Sequence, residues 1–254
     1  MRRAAVGLIL ILPALTEPAT AGPETDRDAV QARRRRRARV AKEIGPGYAL
    51  LLGQPRAGIF QPPQEGHFLY LTGVDEPGAG LLLRGAKAKR LRGPWLDGGE
   101  AGPLHFREAL LVVPYPEEIR RFFGYRLEPG PDTARELGIE TVLPAAGRAG
   151  GRQLGHRLSE VLPPKSTLHI PGYRRPDDGF LRAVRERVEE VLARERPDVR
   201  IENLHPTLAR MRAVKEPLEL ESLRRACAIT VEALQEALPE IRPASTEAAV
   251  DGAL

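Results

Sequence analysis

Thr167-Leu168-His169-Ile170, followed by Phe180-Leu181-Arg182-Ala183-Val184-Arg185-Glu186-Arg187-Val188-Glu189-Glu190-Val191-Leu192, is the stretch on which the fold turns. The first four residues form a short apolar run that stops at Pro171-Gly172, the pattern of a buried strand, within which His169 reads as a satisfied core residue. In the second segment Phe180, Leu181, Val184, Val188, Val191 and Leu192 recur at three- and four-residue steps, which puts all six on one face of a helix. Asp177 and Asp178 precede that helix beside Gly179, where carboxylates suit the positive helix end and read as caps. A helix with one apolar face needs a surface to bury it, and a neighbouring sheet supplies one.

The same alternation runs upstream. Tyr48 to Leu52, Phe68 to Leu71, Gly80 to Leu83, Ala109 to Val113 and Thr141 to Leu143 are short apolar runs bounded by Gly or Pro, and each reads as a strand. Asp132 to Leu137 and Gln153 to Leu162 carry helical patterns between the later ones. Strands alternating with helices predict an α/β domain, a sheet covered by helices, over residues 22–202. Residues 85–108, rich in Gly, Lys and Arg and holding Trp95, break the rhythm as a long loop, either a tolerated insertion or a partner-binding flap.

After Arg200-Ile201-Glu202 the pattern becomes helical only. Leu204 to Arg212 forms one helix, and a second opens near Pro217, where proline suits a first turn. Leu220, Leu223, Cys227, Val231, Leu234 and Leu238 give that second helix one apolar face that requires a partner. Cys227, the single cysteine, excludes an intrachain disulfide and reads as a buried structural thiol. A last helix is expected from Ser245, capped by its hydroxyl. Residues 203–254 are therefore expected to be a linker and a short all-helical segment.

The front of the chain sets the compartment. Arg2 and Arg3, an apolar core from Ala4 to Leu12 and the small-x-small site Ala19-Thr20-Ala21 read as a signal peptide over residues 1–21, hence an exported protein, periplasmic or extracellular. The apolar core is too short to span a bilayer, and Pro13 interrupts it, so no membrane association is expected after cleavage. Of 39 Lys and Arg only Lys42, Lys87, Lys89, Lys165 and Lys215 are lysines, against 34 Asp and Glu, so the formal charge of +5 is modest and names no specific partner. From Thr25 to Glu43 a charged helix holds the run Arg33 to Arg37, stopped by Gly45-Pro46-Gly47. It reads as a solvated helix face with one or two arginines lying over the core; a nucleic-acid patch would call for interleaved aromatics, and none are present.

Metalloprotease, nucleophile-elbow, phosphate-loop and dinucleotide motifs are absent, and His67, His105, His156, His169 and His205 stand far apart without short-range partners, which favours surface or packing roles over metal ligation. No catalytic and no metal residue is assigned.

Two segments rise above a generic α/β pattern. Gln64-Glu65-Gly66-His67-Phe68-Leu69-Tyr70-Leu71-Thr72-Gly73-Val74-Asp75-Glu76-Pro77 resembles the lead-in, Tyr-Leu-Thr-Gly and Glu-Pro signature of the aminopeptidase P family. Met211-Arg212-Ala213-Val214-Lys215-Glu216-Pro217-Leu218-Glu219, continuing to Ala226, resembles that family's Arg-x-x-Lys-x-x-x-Glu domain junction. Gly124-Tyr125-Arg126-Leu127 through Ile139 is similar to its connecting turn and helix. The chain departs from the family at Pro62-Pro63, at residues 85–108 and at Ala244-Ser245.

The resemblance implies a mixed sheet with flanking helices, the creatinase or prolidase N-terminal fold, followed by the start of a pita-bread metallopeptidase domain. It marks Phe68, Tyr70, Thr72, Gly73, Glu76 and Pro77 as motif positions, with core packing the competing role for the aromatics, and Arg212, Lys215 and Glu219 as the junction. It implies a family reaction, hydrolytic release of the residue before a proline by two divalent metals, typically manganese, held by two Asp, one His and two Glu of the catalytic domain. Those ligands would fall beyond Leu254, so this chain by itself is expected to be an inactive, truncated front part, without a cofactor of its own. Its expected partners are a second copy or a separate catalytic-domain chain, with a peptide substrate only in a complete enzyme. Two other readings stay open: an exported binding or oligomerisation module that uses the 220–238 face, and an Arg-rich nucleic-acid binder.

Overall fold

The computed structural model describes residues 23–55, 64–91, 106–113, 116–118, 121, 127–145, 151–173, 178–242, 246–248 and 252. Residues 1–21, Pro62-Pro63, most of the 85–108 loop with Trp95 and His105, Gly124 to Arg126, Asp177 and Ser245 lie outside the described residues.

The elements, in chain order, are α1 (Pro23–Glu43), β1 (Tyr48–Leu52), α2 (Gly66–Thr72), β2 (Gly80–Arg84), β3 (Glu108–Val112), α3 (Pro131–Leu137), β4 (Thr141–Pro144), α4 (Gly151–Val161), β5 (Thr167–Ile170), α5 (Gly179–Glu195), β6 (Arg200–Asn203), α6 (His205–Ala213) and α7 (Pro217–Ala237). The strands form one mixed sheet in the order β4-β3-β2-β1-β5-β6. β2 runs antiparallel to β1 and β3, whereas β3–β4, β1–β5 and β5–β6 are parallel pairs. The fold class read from the sequence is the one observed.

Side-chain alternation along each strand divides the interior into two cores. Ala49 and Leu51, Leu81 and Leu83, and Leu110 and Val112 face a layer made by α1, α2, α3 and α6, where Val40, Phe68, Leu71, Ala134, Leu208 and Met211 are buried. Tyr48, Leu50 and Leu52, Leu82, Ala109 and Leu111 face α4 and α5, against Leu158, Leu181, Val184, Val188 and Leu192. Because the central strands are covered on both faces, they are apolar throughout rather than alternating. α4 and α5 pack closely because α4 carries Gly151 and Gly155 on the contact face. A Cβ at Gly151 would lie 2.5 Å from the Val184 carbonyl oxygen, and one at Gly155 2.8 Å from the Val191 Cβ.

Four sequence readings need correction. Phe68 to Leu71 is helical, not a strand: Phe68, Leu71 and Thr72 are buried at helical spacing while Leu69 is 41% exposed. The Glu65 carboxylate accepts the Phe68 N–H at 2.7 Å, and Gly73 closes the helix at φ 68°, so both ends are capped. On α5, Leu181, Val184, Val188, Val191 and Leu192 are buried, but Phe180 in the first turn is 39% exposed. Cys227 is exposed, because α7 leaves its apolar side uncovered. Asp178 holds the N-cap position of α5 but makes no capping hydrogen bond with its side chain. The reading of the arginine run holds: Arg36 and Arg37 are buried while Arg34 and Arg35 are exposed.

Arg37 is the central polar group of the first core. Its guanidinium donates twice to Glu108 of β3, at 2.8 and 3.2 Å, once to the Leu71 carbonyl at the end of α2, at 2.9 Å, and once to the Gly138 carbonyl after α3. Removing one partner of a buried pair leaves the other charge uncompensated, at a cost of roughly 3–5 kcal/mol. Arg37→Met is therefore expected to lower unfolding free energy in urea by about that amount, and Arg37→Met/Glu108→Leu to regain part of it. A loss under about 1 kcal/mol for Arg37→Met would contradict this account.

His169 of β5 lies with its Nδ1 3.6 Å from Glu202 of β6. Burial holds its pKa below the ordinary imidazole value; Glu202 opposes that shift and Arg200 adds to it. The neutral ring is thus favoured in the fold, so stability should be full above the ordinary value and decline as pH falls through it towards the folded one. His169→Gln should flatten that part of the stability profile, read by thermal unfolding across the interval; an unchanged slope would exclude the effect.

Candidate functional site

The two segments that stand out in the sequence meet in space. α2 carries the first; α6 and the start of α7 carry the second, and Tyr70 is the hinge of contact between them. Its ring lies under the Arg36 guanidinium at 4.2 Å, with that of Arg212 at 6.0 Å, and its hydroxyl reaches the Met211 carbonyl at 3.4 Å. Burial raises the Tyr70 pKa, with Arg36 opposing, so the phenol stays protonated and acts as a donor.

Arg36 extends the contact into the junction. It donates to the Tyr70 carbonyl at 3.2 Å and to Glu216 at 2.9 and 3.2 Å, and lies 3.5 Å from Glu219. Glu216 and Glu219 form a reciprocal capping box at the start of α7, where Pro217 occupies the first turn. Lys215 donates to the Arg212 carbonyl. Arg212, Lys215 and Glu219 thus all act at the α6–α7 turn.

The remaining motif positions serve the geometry of α2. Phe68 is fully buried. Thr72 Oγ1 donates to the Phe68 carbonyl at 2.8 Å and accepts the Val74 N–H at 3.0 Å, closing the helix from inside. A Cβ on Gly73 would fall 2.3 Å from the Arg33 guanidinium carbon, so glycine is needed there for space as well as for its left-handed φ. Gln64 accepts from the N–H groups of Gln54 and Glu65, at 2.6 and 2.8 Å, and donates to the Glu76 carbonyl at 3.2 Å. This clamp ties the exit of β1 to the buried pair Glu76 and Pro77.

A polar cleft of about 380 Å³ opens beside this contact, lined by Glu65, His67, Tyr173, Asp178, His205 and Arg212 among others. These residues follow β1, β5 and β6, so the cleft sits at the carboxyl ends of parallel strands, where α/β sheets place their crevices. His67 and His205, 138 residues apart, meet edge to face with Nε2 and Nδ1 at 3.0 Å. Sequence spacing gave no hint of that pair. Arg212 Nη1 lies 3.3 Å from His67 Nδ1. A guanidinium only donates, so His67 Nδ1 must accept, and its proton sits on Nε2. That N–H in turn donates to His205 Nδ1, which leaves the second proton on His205 Nε2.

The cleft is electrostatically mixed. Burial pushes the Glu65 carboxyl up, offset by the N–H groups of His67 and Phe68; Asp178 adds to the rise and Arg212 opposes it. Tyr173 is raised well above its ordinary value, first by burial, and its oxygen accepts the Leu52 N–H at 2.9 Å. Among the described residues no group of three or more His, Cys, Asp or Glu is placed to hold a metal ion.

The fold is that of the aminopeptidase P N-terminal domain, a mixed sheet flanked by helices. Solved structures of this kind include a single-residue variant of Escherichia coli aminopeptidase P (TM-score 0.65, 23% identity), the E. coli enzyme with the inhibitor Pro-Leu (0.64, 22%) and proline aminopeptidase P II from Yersinia pestis (0.62, 22%). Each match covers 88% of this chain and 48% of the other, so the chain spans about half the length of these structures. No family model and no curated protein matches the chain.

The relay predicts a tautomer. Imidazole ¹⁵N spectra of the folded protein at neutral pH should show both His67 and His205 protonated at Nε2 and bare at Nδ1. A proton on His67 Nδ1 would break the Arg212 bond and refute the assignment.

Proposed function

We infer that this chain acts as the N-terminal, non-catalytic α/β domain of an Xaa-Pro aminopeptidase-like protein, exported after removal of residues 1–21. The observation that carries the reading is the fold likeness, which takes in nearly the whole of this chain and about half of the aminopeptidase P chains. The exposed apolar side of α7, with Leu223, Val231 and Leu234 on it and Leu238 just past its end, each about half exposed or more, supports it, because such a face is a liability in water unless another domain covers it. On this reading the Arg36–Tyr70–Arg212 contact fixes the direction in which α7 leaves the α/β body, and a metallopeptidase domain seated on α7 supplies the metal ligands and, with two manganese ions, the hydrolytic chemistry.

The purified chain, given manganese and an Xaa-Pro peptide, should release no N-terminal residue above the protein-free control. Release that depends on manganese and disappears with a chelator would overturn the proposal.

A further inference from the structure

One buried imidazole ties α2 to both ends of α6. His205 is the first residue of α6, and Arg212 stands two turns further along the same face. His67 of α2 bonds to both, through Nε2 to His205 Nδ1 at 3.0 Å and through Nδ1 to Arg212 Nη1 at 3.3 Å. The arginine end is confined: a Cβ on Gly66, at the start of α2, would meet Nη1 at 3.0 Å, and the Tyr70 ring lies 6.0 Å from the guanidinium carbon. Lys215 donates to the Arg212 carbonyl, so the turn into α7 follows the same anchor.

Proton counting makes this contact sensitive to pH. The row holds with one N–H on each ring: the guanidinium donates to His67 Nδ1, and the His67 Nε2–H donates to His205 Nδ1. An added proton on His205 Nδ1 sets two N–H groups against each other across the 3.0 Å contact. If His67 relieves that by carrying its own proton on Nδ1 instead, the N–H faces a guanidinium, which cannot accept. Whichever ring takes the proton, one end of the tie opens.

The surroundings admit that proton. Imidazole is the side chain that ordinarily charges between about pH 5 and 8, and His205 is exposed, so protons reach it from solvent. Glu65, at the N-cap of α2, and Asp178, at the N-cap of α5, line the same cleft and attract a cation. Arg212, Lys215 and the positive end of α6 repel it. Tyr173, also in the lining, is raised well above its ordinary value by burial and stays neutral throughout this range. We propose that the Arg212–His67–His205 row is a pH-sensitive latch, closed above the imidazole range, which releases α6 from α2 as pH falls through it while the sheet stays intact. The sign follows because the bonded form is the neutral one, so the contact is complete above that range and lost below it. Arg36 keeps its hold on Glu216 on both sides of the change, so α7 gains play but stays tied to α1. The latch belongs to the junction itself and does not depend on which domain α7 carries.

Amide hydrogen exchange of the purified chain between about pH 7.5 and about pH 5, corrected for intrinsic rates, tests the latch. On acidification the α6 amides of Leu208 and Met211 should lose about tenfold more protection than those of Leu50 and Leu82 in the central strands, as expected for one charge-assisted hydrogen bond. The midpoint of that step should coincide with the titration of the His67 and His205 imidazole ¹⁵N shifts in the same protein. His67→Gln/His205→Gln, whose amides reproduce the row without a titrating group, should abolish the step. So should Arg212→Leu, which leaves His67 Nδ1 room for a proton; there α6 should be loose at both pH values. Either variant suffices if circular dichroism shows it folded. His169→Gln, on β5, should keep the step. A wild-type α6 loss no larger than that of the strands, a midpoint apart from the two imidazoles, a step that survives in a folded variant of the row, or one removed by His169→Gln would overturn the latch.

Discussion

The Arg37 guanidinium is the point at which four separate pieces of the first layer are joined. A buried cation loses several kcal/mol of hydration, and this one recovers it only because β3, the end of α2 and the turn after α3 all present acceptors to it at once. Two of those acceptors are carbonyls at or just past helix C-termini, groups that lack helical partners and carry the negative end of the helix dipole. The arginine therefore serves as a shared C-cap for two short helices, and each is held where α1 needs it. α2 and α3 are seven residues long, too short to persist without tertiary support.

Arg36, its neighbour, does the corresponding task towards the other end of the domain. Successive residues on a helix point about 100° apart, so one arginine reaches down to the sheet while the next reaches sideways to Tyr70 and the cap of α7. The α6–α7 turn is thereby tied to the same helix that organises the sheet's first face. That mechanical continuity makes the junction part of the fold. α7 itself contributes little burial, with Ala237 its single buried residue, yet its first turn is held by Arg36 and its own capping box.

Most of the sheet was legible because buried central strands are apolar runs cut off by Gly and Pro, and Tyr48 to Leu52, Gly80 to Leu83 and Thr167 to Ile170 have no competing helical period. Phe68 to Leu71 misled because four apolar residues fit a strand or one helical turn equally well; the deciding groups are its neighbours, Glu65 and Gly73, a cap at each end. β6 was hidden for the opposite reason. As an edge strand it mixes Arg200 and Glu202 with Ile201, and its pairing partner Leu168 lies far away in sequence. The reading that one or two arginines of 33–37 lie over the core is correct in kind, but which ones do so depends on where α1 meets Glu108 and Glu216, and helical phase within a run of identical residues does not encode that. The His67–His205 contact is the extreme case: it exists only because β1, β5 and β6 end side by side.

The antiparallel β2 accounts for the presence of two unlike clefts on one sheet. Had β2 run parallel to β1 and β3, its end would have joined theirs at the edge where His67, Tyr173 and His205 gather. Its reversal instead places Arg84 opposite Tyr48, at the start of β1, and Leu83 opposite Glu108, at the start of β3. The mixed-charge cleft and the larger cleft between α1 and α3 therefore occupy opposite ends of the strands, separated by the apolar core of β1 and β2.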